Sequence, residues 1–353
     1  ASSILTLGSR QFMHVLVIGG TGFIGYHVVK ALRAQGDDVE VLCRNAEAAV
    51  ELFSDEVTAV SGDIDTLETE DYRQLLQGFD AVVFAAGVDE RCEVEGDATE
   101  FFQRANVWPC EQLFAAIPHT NVRRAVLLSS IFAWLDQQQP ALELAKKHPY
   151  IYSRIEQDRI SHAAVAGSNC VLVTVQVPWV FGTAPHRESQ WSTLVDYVRA
   201  ATPLVCIRGG ASMLSVSTLA AAVSGALRFP TESISIPVSD ENITYVELMQ
   251  RLCIPVRRKD RKVLPVSDGF FRDITSLGEF AGRLFGKQTG GIDMHEMPDL
   301  LFQEIFFDPK ASQALLHYNG GDLDEALSDT VASIPENFWM SSWRKSINWF
   351  ARA

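Results

Sequence analysis

Short apolar runs alternate with segments of helical periodicity along the first half of the chain. Runs of strand length occupy residues 14–18, 39–43, 57–60, 81–85, 125–128 and 171–175. Apolar residues at helical spacing predict helices over residues 23–35, 101–116 and 150–165. Strands that alternate with helices in this way form right-handed βαβ units. The pattern therefore predicts an α/β fold built on a doubly wound parallel sheet.

The pattern becomes irregular after about Gly182. Prolines and the Gly209–Gly210 pair divide the rest of the chain into shorter pieces. We therefore predict a regular sheet domain over residues 13–182 and a smaller, irregular C-terminal lobe over residues 183–353. Segments at about 211–238 are expected to return from this lobe to the sheet.

The net charge and the spacing of cysteines and histidines exclude several classes of protein. Lysine and arginine total 30 against 44 aspartates and glutamates, a formal charge of −14, which repels a nucleic-acid backbone. The six cysteines form no C-x-x-C pair, which favours free thiols in a reducing compartment, and the spacing of the eight histidines does not suggest a metal site. No apolar run reaches the roughly 18 residues of a membrane span. We expect a cytoplasmic protein without nucleic acid, metal or membrane span.

The strongest motif is Gly19-Gly20-Thr21-Gly22-Phe23-Ile24-Gly25, between the first predicted strand and the first helix. Glycines at its first, fourth and seventh positions permit a tight turn, close approach of a pyrophosphate and close packing of helix on strand. Free N–H groups at the start of the helix hold the anion. In this context the motif predicts a dinucleotide-binding Rossmann domain.

The end of the second strand favours NADP over NAD as the cofactor. An acidic residue there binds the ribose 2′-hydroxyl of NAD, whereas an arginine pairs with the 2′-phosphate of NADP. Cys43 stands where the acid is expected, and Arg44 follows it. Because a guanidinium suits bidentate phosphate binding, we predict NADP, with NAD as the alternative.

Two further strand ends carry residues suited to the cofactor. Asp63 and Ile64 follow the third strand, where Asp63 is expected to reach the adenine. Ala85, Ala86 and Gly87 follow the fourth strand and offer small residues where the backbone must pass close to the cofactor.

In the order and spacing of these motifs, the chain resembles the extended short-chain dehydrogenase/reductase family. That family includes nucleotide-sugar epimerases and dehydratases, dihydroflavonol reductases and 3β-hydroxysteroid dehydrogenases. The resemblance extends over roughly residues 13–330. It rests on the glycine motif, Ala85-Ala86-Gly87, Asn106-Val107, Ser129-Ser130, Tyr150-x-x-Ser153-Arg154 and Pro178-Trp179-Val180-Phe181-Gly182.

The resemblance implies proton and hydride transfer by a tyrosine, a hydroxyl residue and a lysine that also contacts the nicotinamide ribose. Tyr150 matches the tyrosine and Ser130 the hydroxyl partner, whereas Arg154 replaces the lysine. Residues four apart share a helix face, so Arg154 keeps a cation near a phenol whose ordinary pKa is about 10. The planar guanidinium of Arg154 differs from the compact ammonium of a lysine in reach and hydrogen-bond geometry. Whether Arg154 lowers the pKa of Tyr150 and supports activity is therefore left open. Tyr152 is the alternative tyrosine, but Glu156 follows it by four residues.

Two more sets of residues take roles from the resemblance. Asn106 matches a helix asparagine that supports a structural water or proton relay in relatives; a helix cap is the alternative. Val177, Pro178 and Trp179 are expected to line the nicotinamide pocket. Relatives commonly dimerise through the tyrosine-bearing helix and the helix before the fifth strand, so a homodimer through residues 101–116 and 150–165 is expected.

Three functions follow, with the C-terminal lobe as the main substrate-binding part. The first is an NAD(P)-dependent oxidoreductase that transfers hydride between the nicotinamide and a carbonyl or alcohol of a small, apolar substrate. The apolar residues 265–286 resemble the region that closes over hydrophobic substrates in relatives, although a core helix is the alternative. The second is a nucleotide-sugar epimerase or dehydratase with tightly bound NAD. The third is a non-catalytic dinucleotide-binding sensor or scaffold, suggested by the missing lysine.

Overall fold

A parallel sheet forms the centre of the protein. The computed structural model describes residues 12–336, except residues 93, 95, 267–268, 270–290 and 293–299. The strands of this described part are, in chain order, β1 (His14–Ile18), β2 (Asp38–Cys43), β3 (Thr58–Ser61), β4 (Ala81–Phe84), β5 (Arg124–Ser130), β6 (Val171–Val177), β7 (Trp179–Phe181), β8 (Leu204–Cys206), β9 (Gly210–Ser215), β10 (Ile234–Pro237), β11 (Glu241–Thr244), β12 (Val263–Pro265) and β13 (Glu304–Ile305).

Helices connect these strands. The α-helices of the described residues are α1 (Phe23–Ala34), α2 (Ala46–Phe53), α3 (Thr69–Leu75), α4 (Ala98–Phe102), α5 (Trp108–Ala116), α6 (Ile131–Gln138), α7 (Leu144–Lys147), α8 (Pro149–Val165), α9 (Ser192–Ala200), α10 (Val216–Ala226), α11 (Tyr245–Leu252), α12 (Lys310–Leu316) and α13 (Leu323–Ala332). None of these described helices combines the length and hydropathy that a membrane span requires.

The described residues contribute seven strands to the main sheet, in the order β10-β6-β5-β4-β1-β2-β3, all parallel. From β1 the strands are added toward one edge of the sheet, as far as β3, and from β4 toward the other edge, so the strand order reverses between β1 and β4. Ligands of such sheets bind at this switch point, beyond the carboxyl ends of the strands. The predicted doubly wound α/β fold is therefore confirmed.

The strands of the main sheet are apolar along their length because helices cover both faces of the sheet. Val15 and Val17 of β1 face the cluster that includes residues of α1 and α10, whereas Leu16 and Ile18 face the cluster with α5. Of the segments expected to return from the C-terminal lobe, β10 joins the main sheet, whereas β9 pairs with β7, β11 and β13 in a second sheet. The domain boundary at residue 182 stays a prediction.

The prediction of one continuous helix over residues 101–116 is wrong. The structure has α4, a π-helical segment Gln103–Val107 and then α5. Pro109 has no N–H to donate to the carbonyl of residue 105, so the regular ladder is interrupted at this point. Helices α2 and α3 were not predicted. Most of the apolar stretch over residues 265–286, namely residues 267–268 and 270–286, lies outside the described residues.

Candidate active site

The glycine motif forms the turn between β1 and α1 at the switch point. Gly19 has a φ of 82°, a conformation that favours glycine. A Cβ atom on Gly19 would lie 2.9 Å from the backbone of Ala85 and Ala86, so the turn packs directly against the end of β4. A Cβ atom on Gly25 would lie 2.1 Å from the carbonyl oxygen of Gly19. Only glycine allows this approach of α1 to the turn.

The start of α1 fits a diphosphate. Gly22 is the N-cap of α1 and supplies no side-chain hydrogen bond to the first turn. The N–H groups of that turn therefore face the cleft without a side-chain acceptor from the cap, and the helix dipole adds to their attraction for an anion. Phe23 and Ile24 line the same cleft. The turn thus offers the glycine cradle and the free donors that a dinucleotide requires.

A cleft of about 330 Å³ opens at the carboxyl ends of the central strands. It brings together most of the predicted residues, from five separate parts of the chain. These are Gly22, Phe23, Ile24, Ala85, Ala86, Gly87, Ser130, Tyr150, Arg154, Val177, Pro178 and Trp179. Gly19, Gly20, Thr21 and Gly25 complete the turn beside it.

Four other predicted residues lie outside both the cleft and the turn. Asn106 is fully buried behind it. Arg44 is exposed after β2, and within the described part of the chain it has no hydrogen bond or ion pair. Asp63 accepts the N–H of Asp65 at 3.1 Å, and Ile64 packs against the core. The expected contacts of Arg44, Asp63 and Ile64 with adenosine stay predictions.

Tyr150 lies in the first turn of α8 and is 5% exposed. Burial raises the pKa of its phenol above the ordinary value; Arg154 opposes this shift, Glu90 reinforces it, and Ser130 opposes it. Burial prevails over the cation, which answers for Tyr150 the question that the exchange of lysine for arginine left open: the pKa is raised. The phenol is protonated at neutral pH. Ser130 lines the cleft beside Tyr150 and is the N-cap of α6, where its hydroxyl accepts the N–H of Phe132 at 3.3 Å.

Arg154 is held by hydrogen bonds behind the tyrosine. Its Nη2 donates to the carbonyl of Val88 at 3.1 Å, and its Nη1 donates to Oε1 of Gln157 at 3.0 Å. Its Cζ lies 5.2 Å from the centroid of the Tyr150 ring. The residue is 8% exposed. Arg154 therefore places a positive charge at the ring of Tyr150, and the hydrogen bond from its guanidinium to Val88 also holds the loop after β4 in place.

Asn106 braces the same loop. Its Oδ1 accepts the N–H of Val88 at 2.9 Å, and its Nδ2 donates to the carbonyl of Val88 at 3.2 Å and to Oγ of Ser153 at 3.2 Å. A Cβ atom on Gly87 would lie 2.8 Å from Oδ1 of Asn106. Because Asn106 lies inside the π-helical segment, the helix-cap alternative is not observed. Its side chain positions the backbone on which the cleft is built.

Replacing Asn106 with leucine is expected to destabilise the protein by about 2 kcal/mol. The N–H of Val88 would lose its buried acceptor, and an unsatisfied buried group of this kind costs about 1–3 kcal/mol. Urea unfolding measures the loss, and Gln103→Leu, exposed in the same π-helical segment, is the matched control. Equal stability of the two variants would contradict the bracing role.

Several residues of the cleft escaped sequence reasoning. Asp89, Glu90 and Arg91 come just after Ala85–Gly87, separated from Gly87 only by Val88, so their place after the fourth strand was a usable signal. Gln190 and Trp191 had no such signal, because they come from far along the chain. Their lining positions depend on the tertiary fold.

Arg91 is tied into the cleft wall by its neighbours. It pairs with Asp89 and Glu90, and its Nη2 also donates to Oε1 of Gln190 at 2.6 Å. Its Cζ lies 6.0 Å from the centroid of a Trp191 ring. The charge of Arg91 is therefore already balanced by carboxylates.

Two indole rings form a fixed aromatic wall. Trp179 stacks on Tyr245 with 5.0 Å between centroids and lies 5.1 Å from Trp191. Trp191 stacks on Phe181 at 4.6 Å, and its Nε1 donates to the carbonyl of Val180 at 2.7 Å. Both tryptophans line the cleft. The wall offers a rigid, mostly apolar surface suited to a flat group.

The chain is similar in sequence to known proteins. The model of the NAD dependent epimerase/dehydratase family matches residues 15–214. The 4-hydroxy-2-methyl-3-oxo-4-farnesyl-3,4-dihydroquinoline-1-oxide ketoreductase of Stigmatella aurantiaca is 29% identical over 137 residues, 39% of either chain. A UDP-glucose 4-epimerase of Lacticaseibacillus casei is 26% identical over 207 residues, 54% of this chain and 61% of that enzyme. These alignments span less than two thirds of either relative.

Solved structures show the same fold. The crystal structure of gox2253 has a TM-score of 0.74 at 18% identity and covers 93% of this chain and 98% of that one. The UDP-N-acetylglucosamine 4-epimerase of Bacillus cereus has a TM-score of 0.62 at 17% identity and covers 91% of this chain and 96% of its own. At these identities the likeness concerns the fold alone.

Proposed function

The chain belongs to the NAD dependent epimerase/dehydratase family, and from this premise we propose that it is an NADP-dependent reductase of a small, flat and largely apolar ketone. The observation that carries the proposal is the position of Tyr150, whose phenol is buried beside Ser130 in the cleft that begins at the glycine turn. A bound nicotinamide supplies the hydride. The chain's own residues must supply the proton.

Tyr150 has the properties of the proton donor. Reduction of a ketone adds hydride to the carbonyl carbon and a proton to its oxygen, so the donor must hold its proton at neutral pH. Burial keeps the phenol of Tyr150 in that form by raising its pKa. The hydroxyl of Ser130 lines the same cleft and is proposed to donate a second hydrogen bond to the carbonyl oxygen.

Arg154 is proposed to stabilise the phenolate that remains after proton transfer. Its guanidinium lies 5.2 Å from the centre of the tyrosine ring and favours the charged form of the phenol. The hydrogen bonds to Val88 and Gln157 fix the guanidinium before the reaction, so it does not need to reorganise during proton transfer. Arginine thus replaces the charge of the family's lysine.

The cleft favours an apolar ketone over a nucleotide sugar. A nucleotide sugar carries a diphosphate and needs cationic side chains whose N–H groups are free to reach it. Among the described residues that line the cleft, Arg91 pairs with carboxylates and Arg154 donates to Val88 and Gln157. The aromatic wall of Trp179 and Trp191 supplies apolar surface instead. The quinoline ketoreductase similarity supports the same class of substrate.

Oxidation of NADPH by a panel of aromatic and alicyclic ketones tests this proposal. Epimerisation of UDP-glucose and UDP-N-acetylglucosamine is assayed in parallel, after the purified protein has been checked for retained NAD by its absorbance. NADPH consumption with ketones and no epimerisation is the expected result. Epimerisation with retained NAD would favour the epimerase instead. Binding without turnover in either assay would favour the non-catalytic sensor.

Arg44→Ala is expected to raise the Kd for NADPH about tenfold and to leave the Kd for NADH unchanged. A charge-assisted hydrogen bond to a phosphate contributes about 1.5–3 kcal/mol, and exposure of Arg44 places the effect at the lower end. Fluorescence titration with both nucleotides measures it. Arg73→Ala, which removes an exposed arginine of α3 paired with Glu70, is the control. A similar loss for NADH would overturn the assignment to the 2′-phosphate.

A further inference from the structure

The segment after β7 crosses the glycine turn. We call residues 182–191 the strap. The carbonyl oxygen of Thr183 accepts a hydrogen bond from Nε2 of His27 on α1 at 2.7 Å. Arg187 reaches the turn itself, where its Nε and Nη2 donate to the carbonyl oxygen of Thr21 at 3.3 and 2.9 Å. A side chain from outside the glycine motif therefore lies on the cofactor turn.

Both ends of the strap are fixed. The N–H of Gly182 donates to Oγ1 of Thr330 at 2.8 Å. At the other end, Gln190 and Trp191 both donate to the carbonyl of Val180, at 3.1 and 2.7 Å. These bonds hold the strap against the main body of the protein. The position of Arg187 over the turn is thus set by the fold on both sides.

The charge of Arg187 is not balanced by a carboxylate. Its partner is the neutral carbonyl of Thr21, and within the described residues no carboxylate forms an ion pair with it. The N–H groups on Nη1 form no hydrogen bond in that part of the chain. This unpaired cation stands next to the N-terminus of α1, whose dipole and free N–H groups already favour an anion.

We propose that Arg187 binds the diphosphate of the dinucleotide, so that the strap and the glycine turn hold the cofactor between them. Thr21 directly precedes the N-cap Gly22, which places Arg187 at the anion-binding end of α1. Arg44, by contrast, follows β2, where the 2′-position of the adenosine ribose is recognised. The inference rests on the dinucleotide binding of the proposed function and is independent of the ketone.

Substitutions of Arg44 and Arg187 are therefore expected to change the nucleotide affinities in different ways. NADPH and NADH share the diphosphate, so Arg187→Ala is expected to raise the Kd of both about tenfold, which corresponds to about 1.4 kcal/mol, because a charge-assisted hydrogen bond is lost. Adenosine 2′-monophosphate has no phosphate at the position of the diphosphate and should bind the variant and the wild type equally. Arg187→Lys keeps the charge and is expected to restore part of the affinity.

Fluorescence titration of the full chain with these three nucleotides is the experiment. His186→Ala changes the exposed neighbour on the strap and leaves Arg187 in place, so it serves as the matched control. Thermal melting without nucleotide checks that Arg187→Ala remains folded. Unchanged affinity for both dinucleotides, or a loss confined to NADPH, would overturn the inference alone. A wild-type protein that binds neither dinucleotide would overturn the proposed function as well.

Discussion

Tyr150→Phe is expected to lower kcat for ketone reduction by about 10²–10⁴-fold, the usual contribution of a positioned proton donor. The substitution removes the hydroxyl and keeps the ring that packs against Phe102 at 5.7 Å. Because the phenyl ring remains, NADPH affinity and thermal stability should stay close to the wild type. Steady-state kinetics with the best ketone of the panel, together with NADPH titration, separates the loss of chemistry from a loss of binding.

The matched control is Tyr152→Phe. This tyrosine lies two residues later on α8 and is partly exposed, and Tyr152 does not line the cleft. It should therefore retain near wild-type kcat. Loss of activity in Tyr152→Phe with full activity in Tyr150→Phe would transfer the role to Tyr152, the alternative that the sequence leaves open. Full activity in both variants would exclude a tyrosine as the proton donor.

The sheet was predictable because its strands are buried on both faces. His14–Ile18 appears in the sequence as an apolar run, and the structure has a strand over those same residues. The glycine turn was predictable for a similar reason, since its backbone geometry tolerates no side chain at Gly19 or Gly25. Such constraints act locally and leave a mark in the sequence.

Other features depend on parts of the chain that meet only in the fold. Trp191 joins the aromatic wall through the strap, and no local pattern indicates that it faces Trp179. The break in the helix around Asn106 required knowledge of where the proline falls in the hydrogen-bond ladder. The expected homodimer stays a prediction for the same reason, because it depends on how two copies of the surface fit together.

The direction of the Tyr150 pKa shift illustrates this limit most clearly. Spacing along a helix identified Arg154 as a nearby cation, and that cation does lower the pKa of the phenol in part. Spacing carries no information about burial, which outweighs the cation. The same burial favours the protonated phenol, the form that the proposed proton donor requires. The sequence therefore left open the direction of the pKa shift, which depends on burial in the fold.

Arg154→Gln is expected to lower kcat for reduction by about 10²-fold, comparable with the loss of one group that stabilises developing negative charge. Glutamine can still donate a hydrogen bond toward Val88, but it removes the cation at the Tyr150 ring. Because Arg154 lowers the pKa of Tyr150, its loss should raise that pKa further. A proton donor works below its pKa, so the fall in reduction rate at alkaline pH should move to higher pH in this variant.

The pH dependence of kcat for the wild type, Arg154→Gln and Arg154→Lys distinguishes charge from bracing. Lysine keeps the positive charge but loses the fork that bonds Val88 and Gln157 at the same time. If charge is what matters, Arg154→Lys should recover most of kcat and return the alkaline limb toward the wild-type position. If Arg154→Lys is as slow as Arg154→Gln with an unshifted alkaline limb, the arginine acts by bracing the loop after β4, and its proposed effect on the phenolate is wrong.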